Sequence, residues 1–448
     1  MKKILYYLVI GIFSCTKTEI KYVATSTIDI FVNADTTINN LWVIPTGAVV
    51  HFVGGHIHGK GTMQGGIIDA ALTQDIFDTT FSLSNIKTYN QDFSVCWYGS
   101  KTSNKDNSNN LQKAINTCID NNLKNCFVPT GNYVYSKPLT ITNIYKGNYV
   151  GVSIRFYGEG QYWNDRSTLT YTGLSGAALG LQCGKGTEID HLKITGTFLP
   201  PVTTDSTYAN TPLTSFGTNA STYGLVIDYD GTKNAGGSTG VKVHDMWVTN
   251  VGTCYSVSPN GVTFNGDILV FENIRCGDAR IGFQSNQAQE KGNIIRGIYS
   301  WGKIHTLISI GQSGKFQAGN YTIDGGNIAG NCIRLFDIRE SGWFPSSISN
   351  LYAESIATIG TIYAGDSKNQ LPTEIRSCTF DFGYINQVGK QNLFSGNSLY
   401  TKFSSCLFRY YGDYTSRMKM SGWATFENCY FSCGIAGIDN NNNGFIFK

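Results

Sequence analysis

The sequence predicts an all-β chain: a right-handed, single-stranded parallel β-helix with an N-terminal capping helix. Three observations predict it. Charged residues make up only 15% of the 448, while glycine numbers 51 and aromatic residues reach 13%. That composition favours strands and turns over a helical bundle. A short run of similar sequence recurs through the second half of the chain, and one amphipathic segment precedes it. The 41% hydrophobic content is enough for a large core and excludes a disordered chain. Net charge is +3, from 34 basic and 31 acidic residues. This balance gives no bulk attraction for nucleic acid or an anionic membrane surface, so neither is an expected partner.

In chain order, Lys2 and Lys3 precede an apolar run over residues 4–13. A basic start and ten apolar residues suit an export signal and are too short to span a bilayer. The run Ile12-Phe13-Ser14-Cys15 resembles a bacterial lipobox, with Phe13 bulkier than the usual residue. Residues 1–15 thus read as a signal peptide with a lipobox-like end, and the resemblance implies that Cys15 is lipidated and becomes the new N-terminus of an outer-membrane or cell-surface lipoprotein, or else that the protein is periplasmic or secreted. A lipid anchor is the expected link to a membrane. Of the 12 cysteines, removing Cys15 leaves an odd number with no CxxC pair. These thiols read as small apolar core residues rather than a disulfide framework.

Residues 16–92 read as an N-terminal β segment leading into the solenoid. Within it, His56 and His58 share one strand face as a chelating pair, with His51 upstream. No Cys, Asp or further His follows at ligand spacing, and Gly54–Gly55 marks a bulge or turn. They read as ordinary strand polar residues, and no metal site is expected.

The segment 106–125 reads as a helix, with Leu111, Ala114, Ile115, Cys118 and Ile119 on one face and Asp106 or Ser108 as N-cap. A lone helix here suits a cap, because the open end of a strand stack exposes apolar side chains and unpaired edges. A strand, a turn and a second strand follow.

The repeat is the strongest signal. Runs of similar pattern start at Ile189, Val243, Phe271, Ile295, Ile323, Ile348, Ile375, Phe403 and Phe426. Apart from a first gap of 54 residues, which fits two turns or one turn plus an excursion, their starts are 23–28 residues apart. Leucine-rich repeats of that length need a leucine and asparagine framework that is missing, and propeller blades need ~40 residues. A parallel β-helix remains, with coils stacked at the ~4.8 Å strand spacing. The third residue of each run is His191, Asp245, Asn273, Gly297, Gly325, Asn350, Ser377, Ser405 or Asn428. Most of these tolerate left-handed backbone, so a turn is expected there. Three of the fourth residues, Cys378, Cys406 and Cys429, predict a ladder of stacked thiols inside the coil. The stretch 199–223, rich in Thr, Ser and Pro, reads as a loop excursion.

The stretch from Trp97 to Ile141 resembles the opening of the pectate-lyase superfamily of right-handed β-helices, also seen in phage tailspike depolymerases. Gly99, Asp106, Ala114, Ile115, Pro129, Gly131 and Tyr133 carry the match, and Gly158 and Gly160 resemble the turn that follows. The resemblance covers roughly residues 40–440, and residues 93–448 form the solenoid it implies. It further implies an extended polysaccharide bound in a groove along the stacked strands. The hydrolase motifs of that superfamily are missing: there is no Asp-Asp or Gly-His-Gly, and Arg417-x-Lys419 stands without companions near the C-terminal end. No carboxylate cluster typical of its calcium lyases is clear either.

Aligning coils by their apolar residues gives a candidate site. It places Gly282, Ser309, Asp337 and Tyr363 in one outward column and Gln284, Gly311, Arg339 and Gly365 in the next, with Glu340 and Asp366 side by side at the adjoining turn. Asp337, Arg339, Glu340 and Asp366 are the catalytic candidates. Two carboxyls on neighbouring coils are ~5 Å apart, as in a retaining glycosidase, and such crowding raises one pKa. In a lyase, Arg339 neutralises a uronate carboxylate or takes a proton. Tyr363, Gln284, Trp343 and Glu354 are the substrate-binding candidates. A plain salt bridge between Arg339 and Asp337 is the competing reading.

The sequence thus points to an exported carbohydrate-active protein cleaving a polysaccharide as a lyase or glycoside hydrolase, with calcium where it is a lyase. The alternatives are a non-catalytic glycan-binding or adhesive surface protein and a tailspike-like depolymerase or receptor-binding protein. The chain is expected as a monomer or homotrimer.

Overall fold

A computed structural model describes residues 28–448 except 161–165, 203–210, 231–236, 262–264, 287–288, 312–320, 341–345, 365–371, 383–397, 411–417, 420–421, 433–437 and 440–444. Cys15 and the export segment lie outside the described residues, as do Trp343, Asp366 and Arg417.

The chain is a right-handed parallel β-helix. All nine repeat runs stack in a single column. Ile189 pairs with Val243, then in turn come Phe271, Ile295, Ile323, Ile348, Ile375, Phe403 and Phe426. The 54-residue interval is therefore one turn plus an excursion, because Ile189 and Val243 are direct neighbours. The first residue of every run points inward and is buried, each such side chain contributing ~1.5–3 kcal/mol. Near the C-terminal end the column becomes a phenylalanine stack, with Phe403 and Phe426 centroids 5.0 Å apart and nearly parallel.

Each coil has three strand stacks. Strands such as Glu188–Asp190 and Lys242–His244 form the first, and Leu192–Thr195 begins the second. Gly176–Leu181 and Thr222–Ile227 belong to the third. The expected turn between first and second stacks is left-handed at all nine positions, from His191 (φ 53°) to Asn428 (φ 53°). Seven of the nine are His, Asp, Asn or Ser, whose side chains bond locally and lower the cost of that conformation. Cys378 and Cys406 follow in the core, and Cys429 packs partly buried against it, in the order the thiol ladder predicts. The ten cysteines among the described residues are all free, nine of them buried. The Cys406 thiol is pushed up to about 12, chiefly by its hydrogen bond with Cys378.

The helix spans Ser108–Asp120, with Leu111, Ala114, Ile115 and Cys118 buried. Asn107 takes the cap position, and Asp106 receives the Ser108 amide (2.9 Å) and the Ser136 hydroxyl (2.6 Å). Partial burial pushes the Asp106 carboxyl up, but the Ser108 and Ser136 hydroxyls and amides outweigh it and hold it at about 2.

The helix does not close a free end, because more solenoid lies before it. Asp29–Val32, Val49–Phe52, Ile67–Asp69 and Lys87–Thr88 pair in parallel at intervals of 20, 18 and 20 residues. Coils this short enclose a narrower core, yet it is continuous with that of the longer coils. Asn121 bridges the two regions: its side chain donates to the Leu83 carbonyl (3.1 Å) and accepts the Ile86 amide (3.2 Å).

Candidate functional site: an aromatic and cationic groove beside a histidine–carboxylate turn

The fifth residue of each repeat run faces outward on the second stack. In coil order these are Lys193, Trp247, Arg275, Tyr299, Asn327 and Tyr352, each paired with the next. Trp301 stands two residues beyond Tyr299 in the neighbouring column, opposite Gly277. The outward side chains here bound a concavity. Trp247, Arg275, Tyr299, Trp301 and Asn327 line this concavity of about 250 Å³. Trp301 is 60% exposed.

Cations interleave with these rings. Lys193 Nζ lies 4.4 Å and the Arg166 guanidinium 5.5 Å from the Trp247 ring, and Arg275 lies 5.8 Å from Tyr299. Burial and then Arg166 hold Lys193 below the ordinary lysine value; burial and then Arg275 do the same to Arg166. Crowded like charges of this kind favour an anion. Asn327 Oδ1 is buried with no hydrogen-bond partner among the described residues, an acceptor available to a ligand hydroxyl.

Across the left-handed turn, Asp190 is fully buried. The Arg155 guanidinium grips both its oxygens at 2.8 Å, and His191 Nδ1 donates to Oδ1 at 2.5 Å. With Nδ1 carrying the hydrogen, His191 Nε2 presents a lone pair, 4.0 Å from Asp245 Oδ2. His244 spans Glu188 (2.6 Å) and Asp245 (2.7 Å), and Asn273 donates to Asp245. This arrangement orients an imidazole by a buried carboxylate, the geometry of a positioned proton acceptor. Asp190, His191 and His244 gather donor atoms suited in type to a metal, but Arg155 occupies both Asp190 oxygens with its positive charge. Calcium takes six to eight oxygens, and the second-stack outward column from Lys193 to Tyr352 holds no carboxylate. The groove therefore does not fit calcium.

The candidates read from sequence lie on the third stack. Asp337 pairs with Ser309 and Thr361, while Arg339 pairs with Tyr363 and Glu340 with Ala364. Gln284 pairs with Ser309. The column is thus Gln284, Ser309, Asp337, Thr361, in place of Gly282, Ser309, Asp337, Tyr363. A two-residue slip preserves which face points inward, so apolar alternation could not detect it. Arg339 Nε donates to Asp337 at 3.2 Å, with Arg334 3.8 Å from the other oxygen. The salt bridge is present. Glu354 lies on the turn after strand Ser347–Ala353, away from that column. The side chains of Glu340 and Tyr363 are outside the described residues.

The groove residues carry a sequence signal that the outward alignment of later coils passed over. The same nine runs that reveal the turn at position three place Lys193, Trp247, Arg275 and Tyr299 at position five.

No protein-family model and no curated protein matches the chain. Solved structures do resemble it. A DFA-IIIase from Arthrobacter chlorophenolicus A6 in complex with DFA-III is 10% identical, covers 76% of this chain and 84% of its own, and has a TM-score of 0.49. The catalytic unit of a GH87 alpha-1,3-glucanase from Streptomyces thermodiastaticus is 14% identical over 80% of this chain and 67% of its own, TM-score 0.42. A family 28 exopolygalacturonase from Yersinia enterocolitica is 9% identical over 81% and 78%, TM-score 0.36. At such identities and TM-scores these likenesses carry no argument about activity. On the register of its own strands, the chain has a right-handed parallel β-helix fold.

Proposed function

We propose that the protein binds an extended acidic polysaccharide along the second stack and cleaves it by β-elimination. The observation that carries this reading is the column Lys193–Trp247–Arg275–Tyr299, where cations alternate with aromatic faces at the ~4.8 Å coil repeat. Rings of this kind stack on sugar faces, and the cations between them meet carboxylates carried by the same chain of sugars.

Elimination suits the groups present. Lys193, Arg166 and Arg275 neutralise a uronate carboxylate and stabilise the negative charge that develops when the neighbouring ring carbon loses its proton. His191 Nε2 takes that proton. The bond from the adjacent carbon to the glycosidic oxygen breaks, its electron pair leaves with the oxygen, and His191 returns the proton there. The product end carries a carbon–carbon double bond conjugated with the carboxylate. Hydrolysis commonly uses two carboxyls flanking the scissile bond; the outward column from Lys193 to Tyr352 offers none, and across the turn Asp190 is held by Arg155, Glu188 by His244 and Asp245 by His244 and Asn273.

Export with a lipid anchor at Cys15 completes the proposal, placing the groove where extracellular glycans are met. A second reading, a glycan-binding surface protein without turnover, is favoured by the Lys193–Trp247 contact, which already engages one cation. Incubation with polyuronates separates the two: a lyase raises absorbance at the unsaturated-uronate band, and a binder retains the polymer without that rise. Asp337→Asn distinguishes the stacks, because cleavage on the second leaves its rate unchanged and cleavage on the third abolishes it.

A further inference from the structure

The short N-terminal coils hold a second constellation that glycan cleavage does not use. In strand Ile57–His58, Ile57 is buried, so His56 and His58 both project to the outer side. Their ring centroids are 4.3 Å apart. The next coil supplies the ligand type that no nearby residue in sequence offers. Asp78 Oδ1 lies 3.1 Å from His56 Nε2 and 3.2 Å from His58 Nδ1, and one donor atom from each residue falls within 4.8 Å of the others.

Each donor is held from behind. His56 Nδ1 faces the Asp75 carbonyl at 3.3 Å. A carbonyl only accepts, so that nitrogen carries the hydrogen and a neutral ring presents its Nε2 lone pair to a carboxylate oxygen. At 3.1 Å either a second ring proton or a bound cation lies between that nitrogen and the carboxylate oxygen. His58 directs Nε2 towards Asp35 Oδ2 at 3.8 Å, and the second Asp78 oxygen accepts the Gly59 amide at 2.9 Å. Metal-binding histidines are oriented in this way by carbonyls and carboxylates. A further observation points the same way. Asp75 Oδ1 is buried with no hydrogen-bond partner among the described residues, 3.5 Å from His56 Nδ1. Three carboxylates (Asp35, Asp75 and Asp78) surround the pair, and Lys101 offsets one of them through the other Asp75 oxygen at 2.8 Å.

We infer that His56 Nε2, His58 Nδ1 and Asp78 Oδ1 bind a divalent transition metal of the zinc class, leaving a fourth position for water or an incoming ligand. Tetrahedral bonds of the usual zinc length put neighbouring ligand atoms ~3.3 Å apart, close to the 3.1 and 3.2 Å separations here. Two imidazoles with one carboxylate select zinc or cobalt over calcium or magnesium, which prefer oxygen donors.

The test uses the full chain, dialysed against chelator and titrated with Zn²⁺ by calorimetry and with Co²⁺ by visible absorption. One Zn²⁺ per chain and the cobalt bands of a four-coordinate site are expected. His58→Gln, on a half-exposed side chain, removes stoichiometric binding while the metal-free melting curve stays that of the wild type; Asp35→Asn weakens binding ~10–100-fold. His191→Asn binds as the wild type does. Failure of the wild-type chain to bind either ion stoichiometrically overturns the inference. So does binding that survives His58→Gln and Asp78→Asn, or that is lost in His191→Asn instead.

Discussion

The short and long coils employ histidine in opposite ways. Of the six histidines, the three in the short coils all face carboxylates on neighbouring coils: His51 bonds Asp29 and Asp69, and His56 and His58 share Asp78. In the long coils, His191 and His244 also face carboxylates, but Arg155 has already neutralised the central one, Asp190. His305 is buried against Thr306 and the Thr211 carbonyl. Similar residue types thus make a cation-seeking pocket in one region and an oriented base in the other. The difference is one guanidinium, and it is the neighbouring coil that supplies or withholds it.

Removing that guanidinium is the strongest way to break the contrast. Arg155→Met leaves the buried Asp190 charge without its main partner and is expected to cost about 3–5 kcal/mol in chemical denaturation. Zn²⁺ is expected to recover part of the loss, because the Asp190–His191–His244 group then resembles the N-terminal one. A loss below ~1 kcal/mol contradicts the role given to Arg155.

Acidification probes the same contrast with opposite signs. Burial, reinforced by the Arg334 charge, pushes His305 down to about 4 from its usual 6.5. Its neutral form stabilises the fold above the unfolded value, and that contribution, at most about 3 kcal/mol, is lost as pH falls from 6.5 towards 4. For His51, partial burial pushes the pKa down, but the hydrogen bonds and charges of Asp29 and Asp69 outweigh it and raise the pKa above the ordinary value. Its contribution is present below the unfolded pKa and is lost as pH rises through the folded one. Hydrogen exchange corrected for intrinsic rates, compared at pH 7.5 and 5, should therefore show protection falling around Thr306 and Thr211 and rising around Asp29 and Asp69. Parallel changes in both regions contradict the assignment.

The thiol ladder of the long coils is a smaller probe. Cys406→Ser puts a hydroxyl among apolar neighbours and is expected to cost about 1–3 kcal/mol, read as a lower melting temperature. An unchanged melting point places that side chain outside the stack.

The solenoid was legible because its signal is redundant. Nine runs from Ile189 to Phe426 repeat the same inward and left-handed positions, so a single misread coil would not have hidden the period. The register of the third stack was not legible. There, Ile281/Phe283 against Ile308/Ile310, and Ile362/Ala364 against Phe336/Ile338, fit equally well at two offsets, and intervening loops of unequal length remove the constraint that fixes the first stack. The short coils were less legible still. Their strands are two to four residues long, too short for alternation to show, and Asp78 stands 20 residues from its histidine partner His58. Only coil stacking brings them together. The groove was legible in principle, since Trp247, Arg275 and Tyr299 share one repeat position. It was missed because outward positions were compared only in later coils.

The weakest effect expected concerns binding alone. Lys193→Met removes one cation from the Trp247 face and should weaken retention of a polyuronate by about 0.5–1 kcal/mol, more at low salt than at high salt. Salt-independent binding contradicts a role for the cationic groove.

The most direct measurement is turnover of a panel of uronic-acid polymers in the presence of chelator, followed at the unsaturated-uronate band for the wild type and His191→Asn. The account predicts that at least one polymer is cleaved without added metal. It also predicts that His191→Asn lowers the rate by ~10²–10⁴-fold with affinity nearly unchanged. A rate that survives His191→Asn intact, or binding to none of these polymers, contradicts it.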